Sequence, residues 1–233
     1  MAIVMHTCQL GNKMKKQSGF TLIELAIVLV IIGLLLGGVL KGQELINSAK
    51  VKNMAADFRN VQVYIYGYQD KYKALPGDDV NAQANLGDTS ATNGNGNGRI
   101  DGAWNSTTLT AESLVFWQHV RMAGFAPGAT VVAATAPYLP VNADNGRIGV
   151  QSGQTASITG LRGVNIMCSG GVLGKFSKQL DVNLDDGNPT TGSVMVVVDA
   201  TQGTSSVDGA TAVAPTALAD IDDNDFTTVC MGF

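Results

Sequence analysis

The chain has 233 residues, 45% apolar and only 15% charged, with a formal net charge of −4. That composition excludes a disordered, charge-rich tail and leaves enough chain for one soluble domain with a core beside an apolar N-terminal segment. Without the lysines at 13, 15 and 16 the balance falls to 12 basic against 19 acidic residues, formally −7; no basic stripe remains, so the sequence offers no electrostatic case for a nucleic-acid partner.

From Phe20 to Leu40 the chain reads FTLIELAIVLVIIGLLLGGVL, 21 residues with one charge, Glu24. About 20 apolar residues in a helix cross a bilayer, so the segment is long enough to span. Lys13, Lys15 and Lys16 precede it and hold the N-terminus on the cytoplasmic side. A cleaved secretory signal has a shorter apolar stretch, about 7–15 residues, and ends in a small-residue cleavage site. A plain anchor has no use for Glu24, because an ionised carboxylate within the span is costly without a partner.

The helical pattern continues past Lys41. Leu45, Ile46, Ala49, Met54, Phe58, Val61 and Tyr64-Ile65 keep an approximate 3.6 period. Leu75-Pro76-Gly77-Asp78 stops it, which predicts one helix from Phe20 to about Lys73, roughly 80 Å long at 1.5 Å per residue. The apolar stripe of its second half needs a sheet to cover it.

Asp78 to Asp101 is a polar loop. Asn93, Asn95, Asn97 and Asp101 fall on the first, third, fifth and ninth positions of a calcium loop, but Trp104 stands where a bidentate glutamate belongs. A structural calcium site and a Gly/Asn turn both remain open there. Thr110 to Gly124 predicts a short helix with Leu114, Trp117, Val120 and Arg121 on one face; His119 in it reads as a surface or packing residue. Strands are expected at Arg147–Gln151, Val164–Cys168, Ser193–Asp199 and Thr227–Met231, with the unbroken apolar run Val194–Val198 in a central strand. Gly174–Leu184 reads as a helix, with Asp185-Asp186-Gly187-Asn188 as its exit turn. Gln202–Ala219 reads as an exposed loop. Asp220, Asp222, Asp223 and Asp225 leave open a cation site or a solvated acidic loop. Cys8 lies near the N-terminus; Cys168 and Cys230 lie far apart with no CxxC pair, and read as one disulfide or as two buried thiols.

Lys15-Lys16-Gln17-Ser18-Gly19-Phe20-Thr21-Leu22-Ile23-Glu24-Leu25 resembles the class III signal of type IV prepilins and pseudopilins. The resemblance implies cleavage by a prepilin peptidase between Gly19 and Phe20, and N-methylation of Phe20. It also implies a partner for Glu24, the positive N-terminus of a neighbouring subunit, through which Glu24 serves filament assembly. Met1, Met5 and Met14 all stand as starts, and from Met14 the leader would be the usual short one. One feature departs from the pattern: many type IVa pilins carry a proline where this chain has Lys41, and here Gly33, Gly37, Gly38 and Gly42 stand nearby. Such glycines permit close helix packing or a helix that stretches.

The resemblance implies an α+β fold: a long N-terminal helix, half transmembrane and half amphipathic, packed on an antiparallel sheet with short helices. The expected parts are a leader at 1–19, a transmembrane and filament-core helix at 20–41, the amphipathic half at 42–75 and a globular head at 76–233. In the family a disulfide commonly closes the C-terminal region, here Cys168 to Cys230. Tyr72–Asp78, Phe116–His119 and Leu184–Gly187 also loosely resemble larger pilin-like proteins of Gram-negative bacteria.

The function implied is that of a type IV pilus subunit, major or minor, with a pseudopilin of a type II secretion system as the alternative. Its partners would be identical and related subunits, the prepilin peptidase and an inner-membrane assembly platform. It would sit in the bacterial inner membrane before assembly, then in an extracellular pilus, or in the periplasm as a pseudopilin. No nucleophile elbow, catalytic carboxylate pair or HExxH motif marks an enzyme. No cofactor is expected apart from the calcium at the Asn loop.

Overall fold

The computed structural model describes residues 20–135, 138–155, 157–200, 205–209 and 211–233. The chain divides into two units, one ending at Leu45 and the other Ile46–Phe233. One helix, α1 (Leu22–Tyr72, 51 residues), belongs to both. Its buried residues are Val51, Met54, Ala55, Phe58, Val61, Ile65 and Tyr68, steps of three and four that keep one face inward. Lys73 in the left-handed region (φ 55°) ends it just before Leu75-Pro76.

Within Ile46–Phe233 the order continues through α2 (Ala82–Leu86), α3 (Glu112–Met122), β1 (Ile148–Ser152), β2 (Asn165–Leu173), α4 (Gly174–Leu184), β3 (Val194–Asp199), a 3₁₀ turn (Leu218–Asp220) and β4 (Phe226–Gly232). The strands form one antiparallel sheet in the order β1-β2-β4-β3. All four expected strands are present, two of them longer than the periodicity suggested, and the α+β architecture is the expected one.

Alternation along the strands sorts their side chains between two clusters. Met167, Val194, Val196, Val229 and Met231 join Val51, Met54, Phe58, Val61 and Ile65 of α1 in the larger core. Ile166, Cys168, Met195, Val197 and Cys230 join Trp104, Ile158 and Val207 in a second. The sheet is therefore buried on both faces. Gly149 of β1 allows the Trp104 carbonyl to lie against it, where any Cβ would collide. Gly171, with φ 65°, sits at the irregularity in β2 between Ser169 and Val172.

Three expectations change. Val194–Val198 lies in an edge strand, not a central one. Its apolar run reflects two covered faces, and burial of faces says nothing about position across the sheet. The loop at Pro189 and Thr216 covers that edge by hydrogen bonds to Val196 and Val198. The Thr110–Gly124 helix is present as α3, but Glu112–Arg121 are buried on every side, not on one face. The expected exposed loop at Gln202–Ala219 lies partly outside the described residues, and within it Val207 is fully buried, accepting a hydrogen bond from Trp104 Nε1.

Candidate functional site at the N-terminal helix

Of the residues singled out at the N-terminus, Gly19 lies outside the described residues, whereas Phe20 and Glu24 are described. Glu24 closes a reciprocal cap at the start of α1. The Thr21 amide and hydroxyl both donate to Glu24 Oε2 at 2.8 Å, and the Glu24 amide donates to Thr21 Oγ1 at 3.3 Å. This is a capping box, Thr-x-x-Glu, and it satisfies donors that a helix start otherwise leaves orphaned. Its signal stands in the sequence as Thr21-Leu22-Ile23-Glu24, and the reading of Glu24 as an assembly residue passed over it.

On both sides of Glu24 the helix presents apolar side chains to its surroundings. Leu22, Ile23, Leu29, Leu34, Leu36 and Leu40 are all at least 60% exposed. The helix contains a window apolar and long enough to cross a membrane, with a mean hydropathy of 2.8 and none of it buried. A Cβ added at Gly33, Gly37, Gly38 or Gly42 would meet no atom within 4 Å. Contacts among the described residues therefore give no reason for glycine at these four positions.

The other residues singled out by sequence lie in the head. Asn95 and Asn97 each donate a side-chain N–H to Asp101 Oδ2, at 3.0 and 2.7 Å. These bonds, Asn97 first, hold the Asp101 carboxyl below its ordinary range. The side-chain oxygens of Asn95 and Asn97 accept from the amides of Asn97 and Arg99, and Asn93 Oδ1 accepts from the Gln83 amide. The structure thus brings Asn95, Asn97 and Asp101 together and turns Asn93 toward α2.

The same loop is tied down by two buried acids that sequence reasoning did not single out. Asp78 accepts from the amides of Asn97 and Gly98, and Glu112 from those of Asn95 and Asp101. No local pattern marks them, because their partners lie 11 to 20 residues away. Desolvation raises the Glu112 carboxyl despite those bonds.

His119 is fully buried, so it is a packing residue and not a surface one. The Gly77 amide donates to its Nδ1 at 2.9 Å, which leaves Nε2–H to donate to the Thr92 carbonyl at 2.7 Å. Beside it Tyr68 stacks on the imidazole and donates to Asp79. These bonds join the end of α1, the turn after it and α3.

Cys168 and Cys230 form a disulfide. They are directly paired across β2 and β4. Among the four acids at 220–225, Asp223 pairs with Lys178 of α4, and Asp225 accepts from the Asp222 amide. The exposure of Asp220, Asp222 and Asp223 fits the solvated loop.

Residues 14–40 match the family described as the prokaryotic N-terminal methylation motif. No curated protein and no solved structure matches the chain. The matched segment contains Gly19, Phe20 and Glu24 and is the class III signal of type IV pilins and pseudopilins. The motif supports a type IV pilin-like or pseudopilin reading of the chain. The signature fits anchoring in a membrane followed by assembly at the surface or in the periplasm.

Proposed function

We propose that this chain is the structural subunit of a type IV pilus, major or minor. In this reading a prepilin peptidase removes residues 1–19, Phe20 becomes the N-methylated N-terminus, and α1 enters the filament core. The observation that carries it is the matched signature at 14–40 leading into a helix whose apolar side chains are exposed. Those side chains suit lipid first and neighbouring helices afterwards. The open surface at Gly33, Gly37 and Gly38 suits close approach of a second helix backbone. Glu24 fits the same scheme: a carboxylate in an apolar bundle needs a cation, and the N-terminal amine of the next subunit is one.

The parts then divide as leader 1–19, filament-core helix 20–41, amphipathic continuation 42–75 and head 76–233. The partners are like subunits, the peptidase and the inner-membrane assembly platform. The large head with its disulfide supports a pilus subunit over the piston of a secretion system.

Mass spectrometry of filaments sheared from cells, beside the membrane fraction, tests this. A chain beginning at N-methylated Phe20 in the sheared fraction is the expected result. Processed chain confined to membranes would make it a pseudopilin, and chain still carrying Gly19 everywhere would overturn the reading.

A further inference from the structure

Asp181 lies in the third turn of α4 and is completely buried. Neither of its carboxylate oxygens has a hydrogen-bond partner. An unpaired carboxylate in a protein interior costs several kcal/mol in its charged form, so such a group needs an explanation. Among the described residues no lysine, arginine or histidine pairs with it. Asp185 and Asp186 each bring a carboxylate oxygen, and the three oxygens lie within 4.8 Å of one another. Two further acids beside a buried, unsatisfied carboxylate make a repulsive arrangement that a cation among them would relieve.

The surrounding backbone holds the two outer acids in place. Asp185 Oδ2 accepts from the amides of Ser193 and Val194, where β3 begins. Gly192, with φ 79°, lies against that carboxylate so closely that any Cβ would strike it. Asp186 accepts from the Asn188 amide and the Thr191 hydroxyl. The cluster also lies at the C-terminal end of α4, where the helix carbonyls carry partial negative charge and favour a cation.

We infer that Asp181, Asp185 and Asp186 form a binding site for a hard divalent cation, calcium, which joins the end of α4 to the start of β3. The donor set is entirely oxygen, which suits calcium or magnesium over zinc or copper. A partly open rim with one buried ligand suits calcium, which accepts irregular geometry and completes its shell with water and carbonyls. The site is distinct from Asn93–Asp101, where no side chain is a buried carboxylate without a partner. It also stands apart from the N-terminal signature, so its failure would leave the pilin reading untouched.

The test uses the full chain in detergent, stripped with a chelator and titrated with calcium chloride at constant ionic strength. Calorimetry should show one calcium per chain, and thermal unfolding should move up with calcium. Asp181→Asn and, as a rim variant that leaves the core intact, Asp186→Asn should each weaken binding by about tenfold or more. Three results would overturn the inference: no heat and no thermal shift at 10 mM calcium, about tenfold above the weakest extracellular dissociation constants; wild-type affinity in both variants; or binding abolished by Asp101→Asn and kept by Asp181→Asn and Asp186→Asn.

Discussion

At Glu24 one substitution can separate the observed helix cap from the proposed filament role. In the single chain it completes a capping box with Thr21. In the proposed filament its charge pairs with a neighbouring N-terminus. Glutamine can fill the third position of a capping box but carries no charge. Glu24→Gln and Glu24→Ala should therefore both be processed at Gly19, and both should yield few filaments. Filament yield measured after shearing checks this. Wild-type yield from Glu24→Gln, with loss in Glu24→Ala, would make the cap and not the charge the requirement.

His119 sets a pH dependence at the same scale. Burial is the main cause that lowers its basicity, with opposing contributions from its Thr92 bond and from Asp79. The neutral ring is also the one that can accept from Gly77. An ordinary histidine in the unfolded chain titrates near about 6.5. A base with a depressed folded pKa gives stability that is present above the unfolded value and is lost as pH falls through and below it. By NMR the His119 ring should titrate below an ordinary histidine, and stability should fall as pH drops below about 6.5. A His119 that titrates like a free imidazole would refute this.

At the scale of elements, the disulfide and the two-faced sheet explain how the C-terminal strand is held. β4 is central, between β2 and β3, although it is the last strand in the chain. Its placement requires a long return, and loop closure of that length costs entropy. Cys168 and Cys230 are 62 residues apart in sequence and opposite one another in the sheet. In the chain-entropy account a crosslink of that span contributes about 4 kcal/mol by restricting the unfolded chain. Replacing both cysteines with serine should lower the urea unfolding free energy by roughly 2–5 kcal/mol while the sheet stays in place. An unchanged midpoint would show that packing of the second cluster alone pins β4.

α3 carries a different lesson. Its sequence pattern has an apolar face and polar residues around it, yet the polar residues are buried as well. Each has partners supplied by distant loops. Gln118 donates to the carbonyls of Ser90 and Thr130, and Arg121 to those of Pro127, Ala129 and Tyr138. Arg121 also lies over the rings of Tyr138 and Trp117. Desolvation lowers its basicity from the ordinary arginine range, and carbonyl dipoles and ring faces stand in for a carboxylate partner. α3 is thus a central strut to which Gly77, the loop from Ser90 to Asp101, the segment Pro127–Thr130 and Tyr138 are tied.

At the scale of the whole molecule, the two units follow different solvation rules. Ile46–Phe233 buries its apolar residues in two clusters and pairs most of its buried polar atoms. The described part of the unit ending at Leu45, residues 20–45, exposes its apolar side chains on a helix that pairs its own backbone groups. A helix of that kind is suited to lipid or to other helices. The matched signature lies wholly within it.

The sequence by itself determined the helix, the strands and the N-terminal signal. These depend on neighbours three or four residues away along α1, on alternation within strands, and on the short run Gly19-Phe20-Thr21-Leu22-Ile23-Glu24. The pairing of Cys168 with Cys230 was legible from their isolation and the resemblance, but its registry across β2 and β4 was not. Only the tertiary structure decided that β3 lies at the edge, that α3 is buried on all sides, and that Val207 closes the second cluster. Only it showed that Asp181 is buried without a partner beside Asp185 and Asp186. The physical reason is range: periodicity records how each residue is solvated along its own element, whereas strand order, the cover on a second face and the pairing of a buried charge depend on residues tens of positions away.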